Sequence, residues 1–375
     1  MRPIQMVDLK QQYLNIKDEI DAAVLNVLES SAFINGPHVQ NFSSALALYN
    51  DVRHVIPCAN GTDALQIAMM ALGLQPGDEV ITPSFTYIAA AEVIALLRLT
   101  PVFVDVDPKT FCMDTEALQK AITSKTKAVV PVHIYGQAAN MEEILKIAEA
   151  HKIFVIEDNA QALGGEYFFS DGTTRKTGAL GTCSGTSFFP SKSLGCYGDG
   201  GAIMTNDDSL ATKLRMVASH GQNKRYHHEI LGLNSRLDTI QAAILEIKLR
   251  YLESYIEARR KVADAYDAAF GGHPKVSIPF RASYCKHVFH QYTLLLEGID
   301  RNEFAQYLKQ QGIPSKVYYP IPVHRQKMFV TIGAEKASLP VTDWLTERII
   351  SLPIHTEMDE EQKQHIIKSV LNYIS

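Results

Sequence analysis

Ala128-Val129-Val130-Pro131-Val132, a helical stretch from Met141 to His151, and then Ile153-Phe154-Val155-Ile156-Glu157-Asp158-Asn159-Ala160-Gln161 together set the fold. Two short β-branched runs joined by one amphipathic helix make a βαβ unit, whose strands lie parallel and whose crossover is right-handed. Working outward, the same alternation recurs. Toward the N-terminus lie the strand Val102-Phe103-Val104-Asp105-Val106, an apolar helix from Tyr87 to Leu97 and the strand Glu79-Val80-Ile81-Thr82. A helix from Ala64 to Leu72 and the strand His54-Val55-Ile56 precede them. Toward the C-terminus a glycine-rich stretch, Gly185 to Gly201, leads to Ala202-Ile203-Met204-Thr205. Strands of this kind are buried on both faces, so an α/β domain is expected, with a mostly parallel sheet flanked by helices.

After Asn234 the character changes. A long helical pattern from about Leu237 to Phe270 ends at Gly271-Gly272 and Pro274, apolar at first and charged later. Beyond it, strands (Gln291 to Leu296, Ser315 to Tyr319) mix with helices (Arg301 to Gln310, Glu360 to Tyr373). The expected division is a large α/β domain over 1–250, including the N-terminal segment, and a smaller α+β domain over 251–375.

Composition narrows the function. The chain has 375 residues, 36 Lys+Arg against 41 Asp+Glu, and a formal net charge of −5. That balance argues against the basic footprint of a non-specific nucleic-acid binder. No run approaches the roughly 18 apolar residues of a membrane span. Met1-Arg2-Pro3-Ile4-Gln5 lacks the apolar core of a signal peptide, so a cytoplasmic location is expected. Five scattered cysteines without a CxxC pair indicate neither a disulfide framework nor a zinc cage, and no metal site is expected.

Open α/β sheets bind ligands at the carboxyl ends of their strands, and three such ends carry chemistry. Asn60-Gly61-Thr62-Asp63 stands between a strand and a helix, where exposed amides and a hydroxyl suit a phosphate. The plainer reading is that Thr62 or Asp63 merely caps the helix. Glu157-Asp158-Asn159-Ala160-Gln161 puts carboxylates against apolar neighbours, where they need a cationic partner or a shifted pKa; a loop acid or cap is again the plainer reading. In Ser187-Phe188-Phe189-Pro190-Ser191-Lys192, a single lysine sits among aromatic residues ahead of a glycine-rich turn. Desolvation makes such an amine a nucleophile able to form a Schiff base, unless it simply snorkels to solvent. A phosphate cradle, an aspartate for a pyridinium nitrogen and a reactive lysine are together the demands of pyridoxal 5′-phosphate.

In order and spacing the chain resembles the DegT/DnrJ/StrS family of sugar aminotransferases, fold type I. The likeness runs from Phe33-Ile34-Asn35-Gly36-Pro37 through Cys58 to Ala64 and Gly77 to Pro83. It continues through Glu157 to Gln161, Ser187 to Lys192 and Gly198 to Gly201, ending with Asn234-Ser235-Arg236-Leu237-Asp238 and Tyr319-Pro320-Ile321-Pro322. The resemblance implies that Lys192 holds the cofactor covalently and carries the proton, while Asp158 pairs with the pyridine nitrogen. It implies Gln161 beside the ring hydroxyl, Tyr87 stacked on the ring, and Gly61, Thr62 and Ser187 on the phosphate. Asn234 would reach the phosphate in a neighbouring subunit, making a homodimer with shared sites; a turn residue before a helix is the plainer reading. L-Glutamate would donate the amino group and leave as 2-oxoglutarate.

Within the family, Asn234 to Asp238 resembles members that aminate C3 rather than C4, while His220 to His228 and Ser187 to Gly201 resemble members that act on a UDP-linked 2-acetamido-2-deoxy-3-keto-glucuronate for bacterial O-antigen. Lys224 and Arg225 would meet the diphosphate, or form a solvated basic loop. Arg236, Tyr318 and Tyr319 would meet the sugar, although Tyr318 stands where those members have histidine. The plainer reading is that Arg236 merely pairs with Asp238 or caps a carbonyl. A dTDP-3-keto-6-deoxyhexose as substrate is the rival within the class. A non-catalytic regulatory protein that binds the cofactor or a nucleotide sugar is the rival outside it. A dinucleotide-binding module fails, because no GxGxxG follows the first strand.

Overall fold

The computed structural model describes residues 1–331, 333, 334 and 337–375. Fifteen strands are present among them: β1 His54–Cys58, β2 Glu79–Pro83, β3 Thr100–Val104, β4 Thr126–Val129, β5 Phe154–Asp158, β6 Glu166–Phe168, β7 Thr174–Lys176, β8 Cys183–Ser187, β9 Gly201–Thr205, β10 Gln222–Lys224, β11 His227–His228, β12 Val276–Ser277, β13 Cys285–Lys286, β14 Tyr292–Leu296 and β15 Ile349–Leu352. Seven of them build the central sheet in the order β1-β9-β8-β5-β4-β2-β3. The pairs β3/β2, β2/β4, β4/β5 and β5/β8 are parallel, and only β9 runs against its neighbours. The expected mostly parallel sheet is what forms.

Side chains alternate between the two faces of a strand. Ile81, Val129 and Val155 accordingly enter one core with Met141, Ile144 and Ile147 of the helix Met141–His151. Val80, Ala128 and Ile156 enter the other, with Leu65 and Ala68 of the helix Gly61–Ala71 and Leu214 of the helix Asp208–Ala218. A separate core forms around β12, β14 and β15, from Val262, Tyr266, Phe304, Leu308, Ile366 and Val370. The N-terminal Ile4 packs into that core.

Two expectations need correction. The long helix is two, Thr239–Arg250 and Leu252–Phe270. The Tyr251 N–H closes back on the Lys248 carbonyl at 3.0 Å, a tightened 3₁₀-type turn with neither glycine nor proline to signal it. The break lets the first helix pack against the central sheet and turns Tyr266 and Phe270 into the second core. Ser315 to Tyr319 is not a strand: only Lys316 bridges to Ser351, after which the chain turns away. Pro320 has no N–H to extend such a ladder.

Candidate active site

β1, β2, β5 and β8 all end at one edge of the sheet, where β9 begins, since Gly201 pairs with both Cys58 and Ser187. Close approach there requires glycine. A Cβ on Gly201 would lie 2.4 Å from the carbonyl carbon of Asn60, and one on Gly61 would lie 2.7 Å from the Ser187 Cβ. Neither Thr62 nor Asp63 caps the helix that follows. Asn60 does, its side chain accepting from the Asp63 N–H at 2.8 Å. The amides of Gly61 and Thr62 are therefore left at the helix N-terminus beside the Ser187 hydroxyl.

These residues line a cavity of about 680 Å³ that also collects Tyr87, Asp158, Gln161, Lys192, Tyr318 and Tyr319. Lys192 follows a tight turn, its N–H bonded to the Phe189 carbonyl at 2.8 Å. Burial pushes its amine down to about 8, against the opposing pull of the Asp158 charge. Asp158 is itself buried, at 7% exposure, and burial raises its carboxyl above the usual range. One N–H, from Ala160 at 3.1 Å, holds it, with Lys192 and His133 adding smaller opposing pulls.

Glu157 and Asp158 are neighbours on β5 and so face opposite ways. Glu157 is fully buried and accepts from the N–H groups of Gly178, Leu180 and Gly181 at 2.7–2.8 Å. His133 Nδ1 accepts from the Ala139 N–H at 3.1 Å, which leaves Nε2 to donate to Glu157 at 2.9 Å. Glu157 thus anchors the strand end that presents Asp158.

On the opposite wall, Gln161 Oε1 accepts from the Tyr135 N–H at 2.8 Å, and its Nε2 donates to the Tyr319 hydroxyl at 3.3 Å. The Tyr135 hydroxyl bonds the Tyr318 carbonyl. Tyr87 stands at the rim, 55% exposed, its ring centroid 5.8 Å from that of Tyr319. Tyr135 escaped the sequence reading, although the strand-end rule applied to β4 points to it. His290 and Gln291 also line the cavity. They arrive from beyond residue 250 with no local motif to announce them.

Four expected residues lie elsewhere. Asn234 and Arg236 line a second cavity of about 410 Å³ with Ala59, Gly198, Asp199 and Asp238. Asp199 borders both cavities. Arg236 forms no ion pair with Asp238 or with any other described residue; the helix that Asn234 was read as preceding starts later, at Thr239. Lys224 and Arg225 belong to the exposed β10–β11 hairpin and its turn, with the Arg225 guanidinium 5.0 Å from the Tyr226 ring centroid. Within one chain, neither pair meets Lys192.

A nucleophilic lysine, a buried aspartate and a helix N-terminus facing one cavity at the carboxyl edge of a mostly parallel sheet define a fold-type I aminotransferase. A family model confirms the class: the chain belongs to the DegT/DnrJ/EryC1/StrS aminotransferase family, matched over residues 14–371. It is 47% identical to the UDP-2-acetamido-2-deoxy-3-oxo-D-glucuronate aminotransferase of Pseudomonas aeruginosa, over 98% of this chain and 100% of that protein. It is 44% identical to a pleiotropic regulatory protein of Geobacillus stearothermophilus, over 99% of this chain and 98% of that protein. The crystal structure of Streptomyces venezuelae DesV with a ketimine intermediate superposes with a TM-score of 0.95 at 36% identity, covering 100% of this chain and 99% of that one. NtdA from Bacillus subtilis, solved with the cofactor PMP, gives 0.89 at 31%, covering 96% and 82%.

The residues fit the pyridoxal form of that cofactor. Lys192 supplies an amine with a depressed pKa, and Asp158 a buried carboxylate without a full cationic partner. The helix N-terminus with Ser187 suits a phosphate dianion.

Proposed function

We propose that this pyridoxal-phosphate-dependent aminotransferase moves the amino group of L-glutamate to C3 of UDP-linked 2-acetamido-2-deoxy-3-oxo-glucuronate, a step toward bacterial surface polysaccharide (O-antigen). One observation carries the transamination: Lys192, Asp158 and the Gly61–Thr62 helix end face one cavity. When bound, the cofactor supplies an electron sink for the pair left as the substrate carbon loses its proton. Lys192 takes that proton and returns it on the other side of the transfer. Positioned proton transfer of this kind is worth on the order of 10²–10⁴-fold. Asp158 keeps the pyridine nitrogen protonated, so that the sink stays open. Thr62, Ser187 and the Gly61 amide hold the phosphate, while Gln161 and Tyr87 orient the ring.

Asn234 and Arg236 are assigned to the site of a second copy, in a homodimer with shared sites. Their separation from Lys192 within one chain supports this. Arg236, a guanidinium with no ion pair among the described residues, then meets the sugar carboxylate, with Tyr318 and Tyr319 adding neutral hydrogen bonds. Lys224 and Arg225 are assigned to the nucleotide diphosphate. Among the described residues no helix is long and apolar enough to cross a membrane, and the reading adds a cytoplasmic enzyme with a domain division near residue 250. A dTDP-3-keto-6-deoxyhexose is the second reading, favoured by the tyrosine at 318. A screen of UDP- and dTDP-keto sugars with L-glutamate tests the choice. Turnover confined to the UDP-uronate supports it, and preference for the neutral dTDP-hexose hands the assignment to the rival. A colourless protein that binds such sugars without turnover would favour a regulatory role instead.

A further inference from the structure

Between Asn234 and Arg236 stands a residue that turns the other way. Asn234 makes an antiparallel bridge to Ser219, and in such extended backbone successive side chains alternate between faces. Asn234 and Arg236 line the second cavity. Ser235 is buried, and its hydroxyl donates to Asp63 Oδ2 at 2.6 Å while accepting from the Ala59 N–H at 3.1 Å. Asp63 lies in the first turn of the helix Gly61–Ala71 and borders the Lys192 cavity. One tripeptide therefore lines the second cavity and, through Asp63, is bonded to the wall of the first.

We infer that Ser235, through its bonds to Asp63 and Ala59, is a positioning residue that serves two sites: the phosphate cradle of its own chain and the Asn234–Arg236 turn it delivers to a second copy. The electrostatics require such a link. A carboxylate in a first helical turn suits the helix dipole, but beside a bound phosphate it repels. The Ser235 hydroxyl keeps Asp63 engaged away from the anion, and the same bond fixes the turn that carries Asn234 and Arg236. Without the hydroxyl, Asp63 is released toward the cradle and the turn loses its anchor. A hydrogen bond to a half-buried charged group is strong enough to shift binding by about 10- to 100-fold.

The inference rests on the shared-site reading, and subunit mixing separates the two. Mixing an Asn234→Ala chain with a Lys192→Ala chain leaves one complete site per heterodimer. Its Lys192 and cradle come from the first chain, and its Asn234 and Arg236 from the second. Ser235→Ala is then added to the first chain only, or to the second only. Each placement should lower kcat/KM about tenfold relative to the parent mixture. The first should also speed loss of the visible cofactor band on dialysis, and the second should do so to a smaller extent, through Asn234 alone. Ser235→Thr, which keeps the hydroxyl, should restore both. Full activity with Ser235→Ala in the second chain would confine the residue to its own helix and overturn the inference. A parent mixture that regains no activity would instead bring down the shared-site reading, and this inference with it, before Ser235 is touched. Should Ser235→Ala not fold, Asp63→Asn keeps a partner for the hydroxyl and removes the charge. It should hold the cofactor at least as tightly as the unsubstituted chain; looser binding would overturn the repulsion argument.

Discussion

The two cavities at the sheet edge are built on different terms. In the larger, Asp158, Gln161, Lys192 and Tyr319 are fixed by bonds made within the chain, from the Ala160 and Tyr135 N–H groups to the Phe189 carbonyl. In the smaller, Asn234 is exposed and Arg236 has no ion pair among the described residues. A guanidinium so placed can grip a carboxylate brought from outside with two parallel hydrogen bonds. On the proposed reading the first is the reaction chamber, and the second is half of a binding surface that another copy completes.

Substitutions can break this contrast. The largest effect belongs to Lys192→Ala, which should abolish steady-state transamination while phosphate contacts still retain some cofactor. Turnover near the unsubstituted level, measured with L-glutamate and the keto sugar, would remove the larger cavity from the chemistry.

Next comes Arg236→Gln. Removing one partner of a buried charge pair costs about 3–5 kcal/mol, or roughly two to four orders of magnitude in kcat/KM at about 1.4 kcal/mol per tenfold. The loss should fall on the uronate and largely spare the matching hexose with a neutral C6. Parallel losses on both sugars would make Arg236 structural.

A smaller effect is expected from pH. Burial lowers the Lys192 amine to about 8, so its neutral, nucleophilic form populates as pH rises through that value rather than near 10.5. Cofactor uptake by the stripped protein should therefore accelerate with a midpoint near pH 8. Asp158 is the charge that pulls this pKa upward, so Asp158→Asn should move the midpoint lower. An unshifted or raised midpoint would separate the two residues. Asp158→Asn should also leave the covalent link intact but slow proton abstraction from the substrate, because a neutral amide cannot hold the pyridinium proton.

Gly201→Ala should have the mildest consequence for the chemistry, acting through the packing of β9 on Asn60 and the Gly61 nitrogen. Its Cβ would meet the Asn60 backbone at 2.4 Å, and overpacking of this kind costs about 1–3 kcal/mol. A lowered melting temperature without change in the pH profile is expected, and an unchanged melting temperature would mean that the β1–β9 edge relaxes freely.

Much of this contrast was legible in the residues themselves. Parallel strands buried on both faces declare themselves through β-branched runs, and each strand end exposes its polar residues in sequence order. Asn60 to Asp63, Glu157 to Gln161 and Ser187 to Lys192 were legible for that reason. Which carboxylate faces the cavity was harder, because Glu157 and Asp158 differ only by the strand's alternation. The cap went to Asn60 rather than to Thr62 or Asp63, since three side chains there can reach a free N–H. The break at Tyr251 has no residue signature. Tyr318 and Tyr319 look like a strand until Lys316 proves to be its only paired member. The separation of Asn234 and Arg236 from Lys192 depends on long-range folding, which local pattern does not encode.

The most direct test of the account is chemical. The yellow protein is reduced with borohydride, digested, and its cofactor-bearing peptide identified by mass spectrometry. The account requires bleaching of the visible band and a phosphopyridoxyl group on Lys192 alone. A label on another lysine, or a band that survives reduction, would contradict it.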